Sequence, residues 1–322
     1  MAIQPPILRY GDTIGVVTLG SPLNPEAIDA AVGVLQGMGF VVELGRYVYA
    51  STGFLAGTDR QRAADFMRMV ENPDVRMILP TRGGVGVAGI LPYLDYEAIA
   101  QNPKIVSGYS DITVLLNALY AFSDLVAFHS LMLLNFRPSE PAYNFNQFFS
   151  LTSVYAPMRE IENPPGLPLV GRVPGEAAGP LVGGNLTSLV DTLGTPFEID
   201  TRGKILFLEE THEPVNRVYR MINQLALAGK FDDCAGILMG QCTDCQISYG
   251  ISYDNLIDDV IAPLGKPLVT NLASGHGMFK AAVPIGAAVR LDATNARLTI
   301  LEPTVTPDEP AALGEQEPPA SP

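Results

Sequence analysis

The sequence predicts an α/β protein of two lobes, an N-terminal domain on a parallel sheet and a C-terminal mixed α/β domain. Three observations predict it. Strand-like and helix-like runs alternate through the first half, which implies β-α-β crossovers and hence parallel pairing. Six prolines, Pro157, Pro164, Pro165, Pro168, Pro174 and Pro180, then interrupt the chain. A second alternation follows and closes on an antiparallel pair. The expected division is residues 1–155, a proline-rich linker over 156–175, a second domain over 176–302, and a disordered tail over 303–322, which is rich in proline and acid.

Taken in order, residues 12–19 read as a buried strand and residues 25–38 as a helix, with Asn24 as its N-cap and Gly39 after its end. Residues 40–44 are a second strand. Gly20-Ser21-Pro22 lacks the G-x-G-x-x-G of a phosphate loop. A helix runs from Thr58 to about Val70, and a third strand spans 75–80. That strand ends in Thr81-Arg82-Gly83-Gly84-Val85-Gly86, where glycines let a ligand approach the backbone at the carboxyl edge of a sheet. Residues 86–94 read as a short helix. Ile105 and Val106 begin the next strand, and Ile112, Leu115, Leu116 and Leu119 give the helix after it an apolar face. Residues 124–134 are one more apolar run. His129 lies within it, beside Ser130, and reads as a core residue.

The second half opens with Gly183-Gly184-Asn185-Leu186-Thr187 and a helical run to Leu193. Residues 204–208 are a strand ending at Glu209-Glu210. Pro214 starts a helix whose apolar face is Val215, Val218, Tyr219, Ile222 and Leu225. Strands are expected over 235–239 and 267–270, with a helix over 253–261 between them. The second strand leads into Ser274-Gly275-His276-Gly277. Residues 287–291 and 296–301 read as the closing antiparallel pair.

Composition narrows the function. The chain has 322 residues, is 47% apolar and carries a net charge of −14. An acidic chain without a basic stripe is not expected to bind nucleic acid. No apolar run is long enough to span a membrane, and residues 1–8 lack the basic and apolar regions of a signal peptide. Three cysteines, Cys234, Cys242 and Cys245, form no framework, which argues for a reducing compartment and for buried or idle thiols. Cys242 and Cys245 have C-x-x-C spacing but no second ligand pair, and the chain has only three histidines, so no metal is expected.

Chemistry concentrates at strand ends. Ser110 lies in the turn between a strand and a helix, where its hydroxyl is exposed beside amides able to stabilise an oxyanion. The G-x-S-x-G of a nucleophile elbow is not met, because Ile112 replaces the second glycine. Capping of the helix by Ser110 or Asp111 is the structural alternative. A serine nucleophile needs a base, and the base needs an acceptor that fixes its tautomer. His276, in a loop between two glycines, is the candidate base. Glu209, Glu210 and Glu213 are the candidate acceptors. Strand alternation puts Glu209 with Ile205 and Phe207, and Glu210 with Leu206 and Leu208. Both sides are apolar, so the pattern does not choose between them. Glu213 precedes Pro214 and has a capping role open to it.

Pro103-Lys104 with Gly108-Tyr109-Ser110-Asp111-Ile112-Thr113 resembles the serine peptidases of the LD-carboxypeptidase family, which includes the microcin C immunity hydrolases. Five further stretches agree and fall in the family's order. They are Leu55-Ala56-Gly57-Thr58-Asp59 with Arg62-Ala63; Arg82-Gly83-Gly84; Gly183-Gly184-Asn185-Leu186; Leu208-Glu209-Glu210 through Arg217; and Gly275-His276-Gly277 with Pro284-Ile285-Gly286. The resemblance spans about residues 7–302. The departures are Val85 for a frequent tyrosine, Glu210 for a frequent aspartate, and His129-Ser130-Leu131 for a frequent His-Gly-Pro.

The resemblance implies a Ser110–Glu209–His276 triad, with the serine on the N-terminal domain, the glutamate and histidine on the C-terminal one, and the site in the crevice between them. It implies oxyanion donors at the amides of Asp111 and of Gly83 or Gly84. Arg82 is a candidate clamp for a substrate carboxylate, and Asn185 a candidate pocket residue. The implied enzyme is cytoplasmic and homodimeric, needs no cofactor, and releases the terminal D-alanine of muramyl tetrapeptides in cell-wall recycling. One alternative is hydrolysis of microcin C-type acyl-sulfamoyl-adenylates. Against it, no long insertion separates Ser110 from Glu209 and the chain has no tryptophan. The other is a non-catalytic two-lobed binding protein, which the missing signal peptide disfavours.

Overall fold

The computed structural model describes residues 2–307; the expected tail beyond 307 lies outside the described residues. Five strands of the first half are β1 (Thr13–Val17), β2 (Val41–Leu44), β3 (Val75–Pro80), β4 (Ile105–Gly108) and β5 (Ala127–His129). All pair in parallel, in the order β5-β4-β3-β1-β2. The helices between them are α1 (Pro25–Gly37), α2 (Asp59–Glu71), α3 (Tyr96–Gln101) and α4 (Thr113–Ser123), and α5 (Ala142–Thr152) follows β5. Asn24 caps α1 through Glu26 N, and Thr58 with Gln61 forms a capping box on α2. Because β1 lies between β2 and β3, the chain order reverses there. Such a switch point leaves a crevice at the carboxyl ends of the strands. The expected helix at 86–94 is a 3-10 helix over Val87–Tyr93, since Pro92 cannot donate an α-helical hydrogen bond.

The second sheet has eight strands. It is built from β6 (Arg159–Ile161), β7 (Val170–Val173), β8 (Glu176–Asn185), β9 (Ile205–Thr211), β10 (Gly236–Thr243), β11 (Leu268–Leu272), and the later pair β13 (Ala288–Asp292) and β14 (Arg297–Ile300). Its helices are α6 (Leu186–Val190), α7 (Val215–Leu227) and α8 (Tyr253–Leu256). β8, β9, β10 and β11 are parallel, and the flanking strands are antiparallel. Tyr219 of α7, placed on the apolar face by its spacing, is 47% exposed.

Three expectations about domain limits are corrected. The stretch 156–175 is not a plain linker, because β6 and β7 lie in it. Both are edge strands, so neighbouring prolines cost no ladder bond. Pro180 stands where β8 ends its pairing with β13 and begins pairing with β9. The second half is not confined to its own sheet. β12 (Val283–Ile285) runs antiparallel to β5 as the outer strand of the first sheet. The tail is ordered as far as it is described: Val305 is fully buried, and Thr306 exchanges backbone hydrogen bonds with Pro5 and Ile7.

β9 divides two apolar cores. Ile205 and Phe207 belong to the core shared with the first sheet, and Leu206 and Leu208 to the one beneath α7. The alternation that could not choose between Glu209 and Glu210 therefore sends them to opposite sides of the sheet.

Candidate active site

Ser110 follows β4 and begins a single 3-10 turn, Ser110–Ile112, that runs into α4. Its φ of 62° is left-handed, a conformation that costs a non-glycine residue on the order of 1–3 kcal/mol and clusters at functional sites. The turn stays put because Ile112, Leu115, Leu116 and Leu119 are fully buried beneath it. Gly83, in the loop after β3, lies against it. A Cβ at Gly83 would stand 2.8 Å from Ser110 Cβ and 3.0 Å from both Ser110 Oγ and the Asp111 amide nitrogen. Only a glycine lets the backbone come this close. That loop is itself tied to the one after β1, through Ser21 N donating to Gly83 O at 3.0 Å. Arg62, fully buried, donates to Leu19 O and Gly86 O and pairs with Asp59, which gives the Thr58-Asp59…Arg62 stretch a bracing role. The Asp111 carboxylate accepts from Val87 N and Ser188 Oγ, and burial pushes its pKa up.

His276 meets Glu209. Its Nδ1 is 2.9 Å from Glu209 Oε2, with the glutamate side chain fully buried and the histidine 17% exposed. Gly275 has φ 96°, and a Cβ there would strike Glu209 Oε2. Tyr109, the residue before Ser110, packs edge-on against the His276 ring at 5.1 Å. Glu210, equally buried, is used elsewhere: it accepts from Thr187 N and Oγ1, Thr211 N and Asn185 Nδ2. Burial raises its pKa. Glu213 pairs with Arg217 on α7.

Asn185 stands in register beside Glu209 and its backbone amide donates to Thr113 Oγ1, while Arg82 immediately precedes Gly83. Asn185 is buried with its carboxamide committed: Oδ1 accepts from Ser188 N and Oγ, and Nδ2 donates to Glu210. Its carboxamide braces α6. Arg82 lines a cavity of about 540 Å³ with Leu23, Ala27, Val34, Phe136 and Arg137, and neither Ser110 nor His276 borders it. The larger cavity, about 720 Å³, begins at Gly277 and Met278 beside His276 and extends past Gln241, Tyr253 and Arg172.

Several residues at the site escaped sequence reasoning. Lys280 donates to Gly277 O at 2.6 Å and lies 5.8 Å from the Tyr109 ring centre, and Asn144 of α5 holds both Met278 O and Lys280 N. Burial lowers the Lys280 pKa and raises that of Tyr109 to about 12. Asn117 of α4 clips both backbone groups of Gly183, 66 residues away. Glycine-flanked histidines and strand-end carboxylates stand out in a sequence; lone amides that pair across such distances do not.

Cys242 and Cys245 are corrected from thiols to a disulfide across the turn at the end of β10; Cys234 is a buried free thiol. The inference of a reducing compartment loses that support. Among the described residues no group of three or more His, Cys, Asp or Glu is arranged to hold a metal, and no helix is long and apolar enough to cross a membrane.

Residues 14–130 match the profile of the LD-carboxypeptidase N-terminal domain, and residues 178–291 that of the LD-carboxypeptidase C-terminal domain. Both halves thus have the make-up of a peptidase. The chain is 38% identical over 312 residues to the "Probable murein peptide carboxypeptidase" of Bacillus subtilis, covering 94% of this chain and 95% of that one. It is 31% identical over 290 residues to the "Murein tetrapeptide carboxypeptidase" of Pseudomonas aeruginosa, covering 88% and 94%. The wild-type apo structure of the microcin C7 self immunity protein MccF is similar with a TM-score of 0.88 at 25% identity, over 94% of this chain and 100% of that one. The muramoyltetrapeptide carboxypeptidase from Oxalobacter formigenes gives 0.79 at 28% identity, over 89% and 98%. The chain belongs to the LD-carboxypeptidase family.

Proposed function

We propose that this protein is a serine LD-carboxypeptidase that releases the terminal D-alanine from muramyl tetrapeptides. The observation that most supports this is the buried 2.9 Å contact between His276 Nδ1 and Glu209 Oε2, in a loop that packs on the residue preceding Ser110. With Nδ1–H given to Glu209, His276 Nε2 is left free to act as base. Ser110 Oγ attacks the carbonyl of the third residue while its proton passes to His276. The amides of Asp111 and of Gly83 or Gly84 hold the oxyanion. Collapse returns the proton to the departing D-alanine amine, and water then cleaves the acyl-enzyme by the same route. Arg82, on its separate cavity, is a candidate clamp for the substrate carboxylate only through loop movement. A cytoplasmic setting and a homodimer belong to the same reading. Incubation with muramyl tetrapeptide, read by mass, should show loss of one alanine; an unchanged peptide overturns the proposal.

A second reading is hydrolysis of acyl-sulfamoyl-adenylates. It is favoured by 28% identity over 328 residues to the microcin C7 self-immunity protein MccF of Escherichia coli. Aspartyl sulfamoyl adenosine, which a solved MccF structure contains, is the discriminating substrate. A non-catalytic binder would fail both assays and would not react with a fluorophosphonate at Ser110.

A further inference from the structure

The geometry points to a second histidine in the site. We infer that His129, held as its Nε2–H tautomer, donates to Glu209 Oε1, so that one carboxylate is fixed between two imidazoles and presents Oε2 to His276. The inference rests on reading Ser110, Glu209 and His276 as a catalytic triad, and it makes His129 a positioning residue.

His129 ends β5, next to the strand that carries Ser110, and is fully buried. Its Nε2 lies 3.9 Å from Glu209 Oε1. Both atoms are buried and neither has another hydrogen-bond partner. The glutamate's other oxygen is taken by His276. On its far side His129 Nδ1 is 3.2 Å from Ser274 Oγ, and the ring stands edge-on to Phe207 at 5.1 Å. The histidine is therefore gripped at one nitrogen and aimed with the other.

Two bare acceptors facing each other without water would repel, so a proton belongs between them. A bridging water would hold the atoms further apart than 3.9 Å. A proton on Glu209 would remove the carboxylate that steadies His276 when it takes the serine proton. A proton on His129 Nε2 satisfies both atoms and leaves that charge in place. Burial drives the His129 pKa down to about 4, so the ring carries one proton only. If that proton is on Nε2, Nδ1 must accept, and the Ser274 hydroxyl is the donor available to it. Ser274 Oγ donates to Ala281 O at 2.7 Å, so its single proton must turn from that carbonyl to His129 for Nδ1 to accept. The short closure from 3.9 Å to a hydrogen bond is then a rotation of the Glu209 carboxylate about its contact with His276.

Two measurements test this. Nitrogen-15 NMR of the wild type at pH 7.5, using histidine long-range couplings, should show His129 neutral with its proton on Nε2; an Nδ1–H tautomer overturns the inference without any variant. Fluorophosphonate labelling of Ser110 reads activation of the nucleophile independently of substrate. His129→Leu should label about 10- to 100-fold more slowly, the range seen when an outer hydrogen-bond partner is lost. Its kcat should fall with KM unchanged. His129→Gln, which keeps an N–H near the Nε2 position, should recover most of the rate. Wild-type labelling speed in His129→Leu overturns the inference and leaves the triad standing. A folded wild type that does not label at all removes the triad reading, and this inference with it.

Discussion

The turn that carries Ser110 is packed closely against neighbouring backbone, and the loop that carries His276 is held by side-chain hydrogen bonds. Around Ser110 the main-chain contacts Thr81 N to Val17 O, Ser21 N to Gly83 O and Ser130 N to Gly108 O are joined by the Asp111 carboxylate, which accepts from Val87 N and Ser188 Oγ. Around His276 the contacts come from Lys280, Asn144 and Glu209. The first loop should tolerate no added atom. The second should tolerate no lost polar group. This contrast predicts which kind of substitution disables each half of the site.

The largest effect is expected at the serine. Ser110→Ala should lower turnover of muramyl tetrapeptide by roughly 10³-fold or more with melting unchanged. Ser110→Gly should be equally inactive yet more stable by about 1 kcal/mol, because it relieves the left-handed backbone. A stabilised but inactive glycine variant would show that the turn stores strain for the hydroxyl's sake.

Next come the paired glutamates. Glu209→Gln should cost on the order of 10²–10⁴ in rate with little change in melting, since the orienting acid is lost. Glu210→Gln should do the reverse. Its amide cannot accept from Thr187, Thr211 and Asn185 together, so a loss of about 1–3 kcal/mol in stability is expected with activity per folded molecule kept. An inactive, stable Glu210→Gln would exchange the two roles.

The same contrast explains what could be read from the sequence. The serine turn left a local signature: an apolar strand, a break and a helical period, with glycines after the neighbouring strand. β1, β3 and the helix after Ser110 were legible for that reason. The His276 loop was legible only as a histidine between glycines, because its supports include Asn144, more than 130 residues away in the chain. Glu209 and Glu210 could not be separated by pattern, since both faces of β9 are buried. β6, β7 and β12 were hidden by prolines, which read as breaks but are harmless on edge strands.

Crowding at the backbone-held loop should give a smaller loss. Gly83→Ala puts a methyl group 2.8 Å from Ser110 Cβ, and a displacement of this kind costs about 10²-fold in kcat. Gly33→Ala in α1 is the control. No atom lies within 4 Å of the new Cβ, so a gain of about 1 kcal/mol from helix propensity is expected. If Gly83→Ala were as benign as the control, the backbone account of the serine turn would fail.

The smallest effect concerns pH and the side-chain-held half. His129 has its pKa lowered from 6.5 to about 4, chiefly by burial; Glu209 opposes the shift and His276 adds to it. A histidine with a depressed folded-state pKa binds its proton more readily when unfolded. It therefore destabilises the native state as pH falls below 6.5 and has no effect well above that value. Between pH 7.5 and 5.5 the expected loss is about 1 kcal/mol, a fraction of the limit set by 1.36 kcal/mol per pKa unit. Asp111 and Glu210, whose pKa values burial raises, act in the opposite sense over the acid range, so the raw stability of the wild type does not isolate the histidine. The difference between wild type and His129→Gln does, because both carry the same carboxylates. Urea unfolding of the two proteins at pH 7.5 and pH 5.5 should show the gap between them shifting by about 1 kcal/mol in favour of the variant at the lower pH. A gap that does not move with pH would mean that the His129 pKa is the same in the folded and unfolded protein, and a gap that moves in favour of the wild type would mean that the fold holds His129 protonated beside Glu209.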